Sequence, residues 1–305
     1  EARRLLGLAQ RGIAYAAVDA YQTLAIVRQT QGGLSAALDA RRNATSAARA
    51  AGLRERESML TTNLGFALTT IGARQEARTA IENGLALADA IGSQGAVRHA
   101  QMILLGWACT FGTDKQIDAH LAEVRSNADA AGSGIWAAPD RANLGLLFYR
   151  GCELLRSKVE GSRRALGLLR MAAQAYRAAG HRDVLPVALS AWSEAERACQ
   201  NLATALELAR EAVALVEQGA PSLLNESAVF LALHDALVDD GKTEEALEVV
   251  RRGIPLLQRR LQGLAGTPYA RSFLTDLPAN ARLIALAEDE GFLPEIFHRA
   301  LERTA

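Results

Sequence analysis

The chain has little of what most secreted proteins and enzymes depend on. Three cysteines occur in 305 residues, Cys109, Cys152 and Cys199. They stand 43 and 47 residues apart, with no CxxC pair and no Cys/His cluster. Neither a zinc site nor a disulfide framework is expected from that spacing, and the three read as buried thiols of a cytoplasmic protein. Aromatic residues make up only 5%, so a core must be built from Ala, Leu, Val and Ile. Neither sign of charge prevails, with 34 basic residues against 34 acidic ones. A general attraction to nucleic acid or to an anionic membrane is therefore not expected. No apolar run approaches the ~18–20 residues that cross a bilayer, and no secretory leader pattern is present. The first residue is Glu1, not methionine, which leads us to expect a piece of a longer polypeptide. Strict two-residue alternation is almost missing, which argues against strands.

Catalytic patterns are missing as well. The five histidines, His99, His120, His181, His234 and His298, form no HExxH and no pair spaced as metal ligands on one helix. There is no GxxxxGK[ST] phosphate loop and no GxSxG. The acid pairs Asp239-Asp240, Glu244-Glu245 and Asp289-Glu290 fall at helix ends or turns, where a solvated charge is the default. Of these, Glu244-Glu245 suit a helix N-terminus through its dipole. No metal, no cofactor and no catalytic constellation are expected, and the chain is read as a non-enzyme.

What is abundant is small and apolar. Half of the chain is hydrophobic, and its prevailing Ala and Leu are strong helix formers. Gly32, Gly72 and Gly112 are 40 apart, and Gly161, Asn201 and Gly241 resume the same step. A second series, Gly52, Gly92, Gly132, Gly180, Gly219 and Gly263, falls about twenty residues later. Glycine or asparagine just past a helix terminates it in the left-handed conformation. The pattern therefore predicts helix, turn, helix, turn, about six times over, and self-similarity at this period means a solenoid of helical hairpins. The tripeptide Asn63-Leu64-Gly65 returns as Asn143-Leu144-Gly145 and is taken to mark one place in two units. The period breaks at a Gly/Pro-containing stretch, Gly132 to Ala142, which carries Trp136. Residues 1–265 are expected to form the array and 266–305 to cap it, with Pro268, Pro278 and Pro294 each near the start of a short helix.

Within a unit, Gly65 is followed at +7 by the turn glycine Gly72 and at +12 by Ala77, with Ile81 and Gly84 beyond. Leu233, Leu237, Gly241, Ala246, Val250 and Gly253 repeat this in the sixth unit, and Trp192, Ala205, Ala209 and Ala212 in the fifth. Two units depart from it: Arg41 stands where a large apolar residue belongs, and Ile117 where a small one does. The pattern resembles the tetratricopeptide repeat (TPR), in a long form of about 40 residues where the usual unit has 34. That resemblance implies an all-α, right-handed superhelical solenoid of about six hairpins with a C-terminal helical cap. The segment "SFLTDLPANARLIALAEDEG" is similar to the end of the helical-repeat region in bacterial signalling ATPases of the STAND type, relatives of the maltose-regulon activator. It implies a recognition or sensor region of a larger regulatory protein.

In the TPR family the first helix of each hairpin lines the concave wall. Projected onto this chain, the wall takes Gln22, Ile26, Gln29, Met59, Thr62, Asn63, Phe66, Thr69, His99, Met102, Cys109, Asn143, Tyr149, Arg150, Glu194, Arg197 and Asp235. The binding candidates are Asn63, Phe66, His99, Asn143, Tyr149, Arg150, Glu194 and Arg197, with Trp136 covering one side from its loop. Amide side chains suit a peptide backbone and arginine suits a carboxylate. The expected function is non-catalytic binding of a protein or peptide on the concave face. The alternative is a small-molecule effector site that controls an attached ATPase or transcriptional regulator.

Overall fold

The computed structural model describes residues 2–130, 145, 148, 149, 151, 152, 154, 155, 159–219 and 226–302. All regular structure among them is helical. The helices are α1 (Ala2–Thr30), α2 (Leu34–Ala50), α3 (Arg54–Thr69), α4 (Arg74–Ile91), α5 (Gln94–Phe111) and α6 (Asp114–Ala130). There follow α7 (Val159–Ala178), α8 (Leu185–Ala198), α9 (Leu202–Glu217), α10 (Ser227–Asp239) and α11 (Thr243–Gln262). Three short helices close the chain, α12 (Tyr269–Thr275), α13 (Pro278–Asp289) and α14 (Glu295–Glu302). Neighbouring helices pack in chain order from α1 to α6 and from α7 to α13, and first helices of neighbouring hairpins also touch, α3 on α5 and α8 on α10. This is the arrangement of an α-solenoid.

The hairpin crossings explain the glycine and alanine spacing. A methyl group placed on Gly65 would lie 2.5 Å from Cγ1 of Ile81 and 2.9 Å from the carbonyl oxygen of Ala77. No side chain fits there, so α3 and α4 close only because residue 65 lacks one. Ser193 makes the equivalent contact by a hydrogen bond to the carbonyl of Ala205 at 2.7 Å, across the same interval of 12 residues. The second Asn-Leu-Gly does not mark an equivalent place. Asn143 and Leu144 lie outside the described residues, and a methyl on Gly145 would strike Met102 of α5, in the preceding hairpin. The counterpart of Gly65 is Gly151, whose added methyl would meet Leu169 at 2.5 Å. Leu169 follows Ala165 as Ile81 follows Ala77.

Several turns also differ from the expected series. Gly32, Gly52, Gly72, Gly92, Gly180, Gly219 and Gly241 have positive φ as predicted. Gly112 is extended, with φ −83°, and Gly161 lies inside α7. Asn201 keeps φ −90° because the residue before it, Gln200, takes the left-handed place at φ 65°. Likewise Gly263 is helical, and Gly266 turns the chain three residues later. Gly132 and the break near 132–142 fall outside the described residues.

The three terminal helices start at or just after Pro268, Pro278 and Pro294, where a missing N–H costs nothing. They do more than cover the last hairpin. α13 packs on α10 and α11, held by the fully buried Asn280, which accepts from Ser227 Oγ at 2.6 Å and donates to the Phe273 carbonyl at 2.7 Å. α12 meanwhile reaches the start of the array. Tyr269 donates to Glu76 at 2.8 Å and accepts from Arg42 at 3.0 Å, while the Ser272 hydroxyl lies 3.3 Å from the Ile71 carbonyl. At the end of α11, the Gly263 carbonyl accepts from Ser35 N at 3.0 Å, and Arg260 donates to the Gln29 carbonyl at 2.7 Å. One core therefore runs from Leu34, Leu68 and Ile71 through Trp107 to Leu257, Phe273 and Leu283. The end of the solenoid curls back onto its beginning.

Candidate functional site

Inside the curl lies a cavity of about 500 Å³, walled by residues of α1, α2, α3, α5, the helical positions 145, 148 and 149, and α7 and α8. Its position follows from the pairing of first helices. α3 presents Asn63 and Phe66, α5 presents His99 and Met102, and the chain near 145 presents Phe148 and Tyr149. His99 Nε2 lies 2.8 Å from Asn63 Oδ1. Since that oxygen only accepts, Nε2 carries the proton, which leaves the Asn63 amide N–H groups unspent on this partner. Phe148 and Tyr149 stack edge to face, with centroids 5.1 Å apart. Desolvation raises the pKa of the Tyr149 phenol, with Tyr176, Cys109 and Cys152 adding to the shift, so its hydroxyl is neutral and a donor at physiological pH.

Of the residues projected from sequence, Gln22, Ile26, Asn63, Phe66, His99, Met102 and Tyr149 do line this one cavity. Trp136, Asn143 and Arg150 lie outside the described residues. Gln29, Thr62 and Thr69 are buried between helices, not displayed on the wall. Thr62 and Thr69 spend their hydroxyls on the carbonyls of Ser58 and Gly65. Tyr149 is also a packing residue, because its ring tip occupies the space left by Gly106 and touches both large cores. Substituting it by alanine therefore tests stability as much as binding.

Glu194 and Arg197 belong elsewhere. With His234, Asp235, Asp239 and Arg282 they form a charged network joining α8, α10 and α13. Arg282 grips both oxygens of Asp235, at 2.8 and 2.5 Å, and His234 Nδ1 lies 2.9 Å from the same carboxylate. Arg197 bonds Asp239 at 3.1 Å. Desolvation would raise Asp235, but its hydrogen bonds from His234 and Arg282 and the charges of Arg282 and Arg197 outweigh it and hold the group at about 2. Glu194 goes the other way. Burial pushes its carboxyl up to about 7, opposed by Arg197, reinforced by Asp235 and opposed again by Arg282.

Sequence reasoning missed several of the lining residues, Phe148, Tyr176 and above all Arg41 of α2 among them. The signal for Arg41 was present as the misfit of the first unit, a charge where the repeat calls for a large apolar side chain. The guanidinium donates to Gln29 Oε1 at 2.7 Å, and its Nε is enclosed with no acceptor. It forms no ion pair with a carboxylate among the described residues, and burial lowers its pKa. The one acid on the wall among the described residues, Asp19, is already bonded to Arg56. Among the described residues there is no group of three or more His, Cys, Asp or Glu placed to hold a metal ion, and no helix long and apolar enough to cross a membrane. None of the three cysteines is in a disulfide, and all three are half-buried. The chain matches no family model and no curated protein.

Proposed function

We propose that this chain is a non-catalytic recognition module, a right-handed coil of about six TPR-like hairpins, and that its ligand is a small molecule held in the central cavity. The observation that carries this reading is the cavity itself. At about 500 Å³ it lies within the range of small-molecule sites, which are mostly apolar with a few convergent polar groups. The lining is drawn from six helices around one volume, α1, α2, α3, α5, α7 and α8, which supports a compact ligand over an extended peptide. The similarity of the tail to STAND-type proteins supports a sensor role within a larger signalling protein.

A thermal-shift screen against metabolites and short peptides tests the reading. A small molecule should raise the melting temperature, and Met102→Trp, which fills the cavity, should abolish that shift while the protein stays folded. A ligand whose affinity survives Met102→Trp sits elsewhere and sinks the proposal. One observation favours a protein partner as well: Ile13, Tyr21, Leu24 and Val27 of α1 are exposed and fall on one side of that helix. A partner bound there should be lost on Leu24→Glu and Val27→Glu without any effect on the cavity ligand.

A further inference from the structure

The polar groups of the cavity have a common character that goes beyond its size. Arg41 brings a positive charge with no carboxylate partner among the described residues. Asn63 brings an amide N–H pair beyond its bond with His99. Two of the wall's acceptors are already engaged: Asp19 is bonded to Arg56, and Asn63 Oδ1 accepts from His99. Thr23 turns its hydroxyl to the Asp19 carbonyl at 2.9 Å, so it offers no donor to the cavity. The wall thus offers one cation with no carboxylate partner among the described residues, together with the apolar side chains of Phe66, Met102, Phe148 and Tyr149.

A buried cation without a counter-ion is costly, and a second group that supplies the charge recovers that cost. Nothing in the hairpin packing calls for a charge at residue 41, since the repeat places a large apolar side chain there. We propose that the cavity takes a small organic acid, its carboxylate forked by the Arg41 guanidinium and its apolar body held by Phe66, Met102, Phe148 and Tyr149. This rests on the reading of the cavity as the ligand site. Guanidinium and carboxylate match in planar, two-point geometry, which lysine does not reproduce. The aromatic walls select a ring or a branched or straight alkyl chain over a bare inorganic anion.

The test uses calorimetric titration of the whole chain with phenylacetate, indole-3-acetate and octanoate, with their primary amides, and with inorganic phosphate. At least one acid should bind, its amide should bind at least about tenfold more weakly, and phosphate should not bind. Arg41→Gln should weaken the acid by about tenfold or more and leave the amide unchanged. Asp19→Asn, which removes the only carboxylate on the described wall, should tighten the acid. If Arg41→Gln melts before it can be titrated, Arg41→Lys and Asp19→Asn carry the test, the first weakening and the second tightening the acid. Acids and amides that bind alike overturn the inference and leave the cavity reading standing, as does binding of phosphate alone. A short peptide that binds through its C-terminal carboxylate while the small acids do not reassigns the cavity to a protein partner and overturns the inference too. If neither acids nor amides bind, the cavity reading falls and this inference falls with it.

Discussion

At the scale of single residues, the fold is held by places where a side chain is missing or out of character. Gly65 is the clearest. Its neighbours Ile81 and Ala77 would stand 2.5 and 2.9 Å from an added Cβ, and the second contact is backbone, which cannot swing away. Gly65→Leu should lower stability by about 1–3 kcal/mol through overpacking, at the upper end because α4 would have to move. Denaturant unfolding of the variant checks this, and an unchanged midpoint would mean that the α3–α4 crossing lies elsewhere. This contact was legible in the sequence because glycine and alanine 12 residues apart fix it within one hairpin. Arg41 was legible only as an exception. Its meaning depends on α1, Gln29 and the cavity, which are brought together by packing and not by spacing.

At the scale of helices, termini were read well where glycine sets them and poorly where another residue does. Gln200 accepts the left-handed turn at φ 65° at a steric cost of about 1–2 kcal/mol, so the asparagine beside it was a false marker. Gly161 shows the converse, a glycine inside a helix with no turn at all. The end of α11 does what no helix pattern announces. Arg260 donates to the Gln29 carbonyl and pairs with Glu226 at 2.7 Å, with about an eighth of each charged side chain exposed (13% and 12%). Arg260→Met should cost about 3–5 kcal/mol, since Glu226 is left as an uncompensated, mostly buried charge. It should also raise hydrogen exchange in the α1–α2 turn, around Gly32 to Ser35. Exchange there that stays at wild-type levels would show that the ring closes without this arginine.

At the scale of the whole molecule, the network around Glu194 ties α8, α10 and α13 together and makes their union pH-dependent. The folded state holds the Glu194 proton up to about pH 7, whereas an unfolded glutamate releases it near 4.3. A group raised in this way contributes stability that is fully present below about pH 4.3 and lost as pH climbs to about 7. Asp235, held at about 2, has the opposite sign. Its contribution is present above the ordinary range near 3.9 and fades only as pH falls toward 2, so it is constant between pH 5 and 8. Glu194→Gln should therefore flatten the fall in melting temperature over pH 5–8 relative to the unsubstituted protein. Parallel curves for the two would show that Glu194 does not carry that proton.

What the sequence determined by itself is the local grammar: helical hairpins, most of their turns, the Gly65–Ala77 crossing and the three proline-led terminal helices. Each is set by contacts within about 20 residues, through glycine dihedrals, proline starts and small residues at crossings. It also pointed to one wall, since Asn63, Phe66, His99 and Tyr149 do meet around one cavity. Glu194 and Arg197, projected onto the same wall, do not line this cavity, because their charges are engaged by groups of α10 and α13 that spacing within one hairpin does not reveal. The curl itself was decided only in the tertiary structure. Apolar faces on Leu257, Leu261 and Phe273 are satisfied by Leu34, Leu68 and Ile71, some 200 residues earlier, and hydrophobic burial is non-directional. An apolar face in the sequence shows that it must be covered, while the partner is chosen by how the whole chain packs.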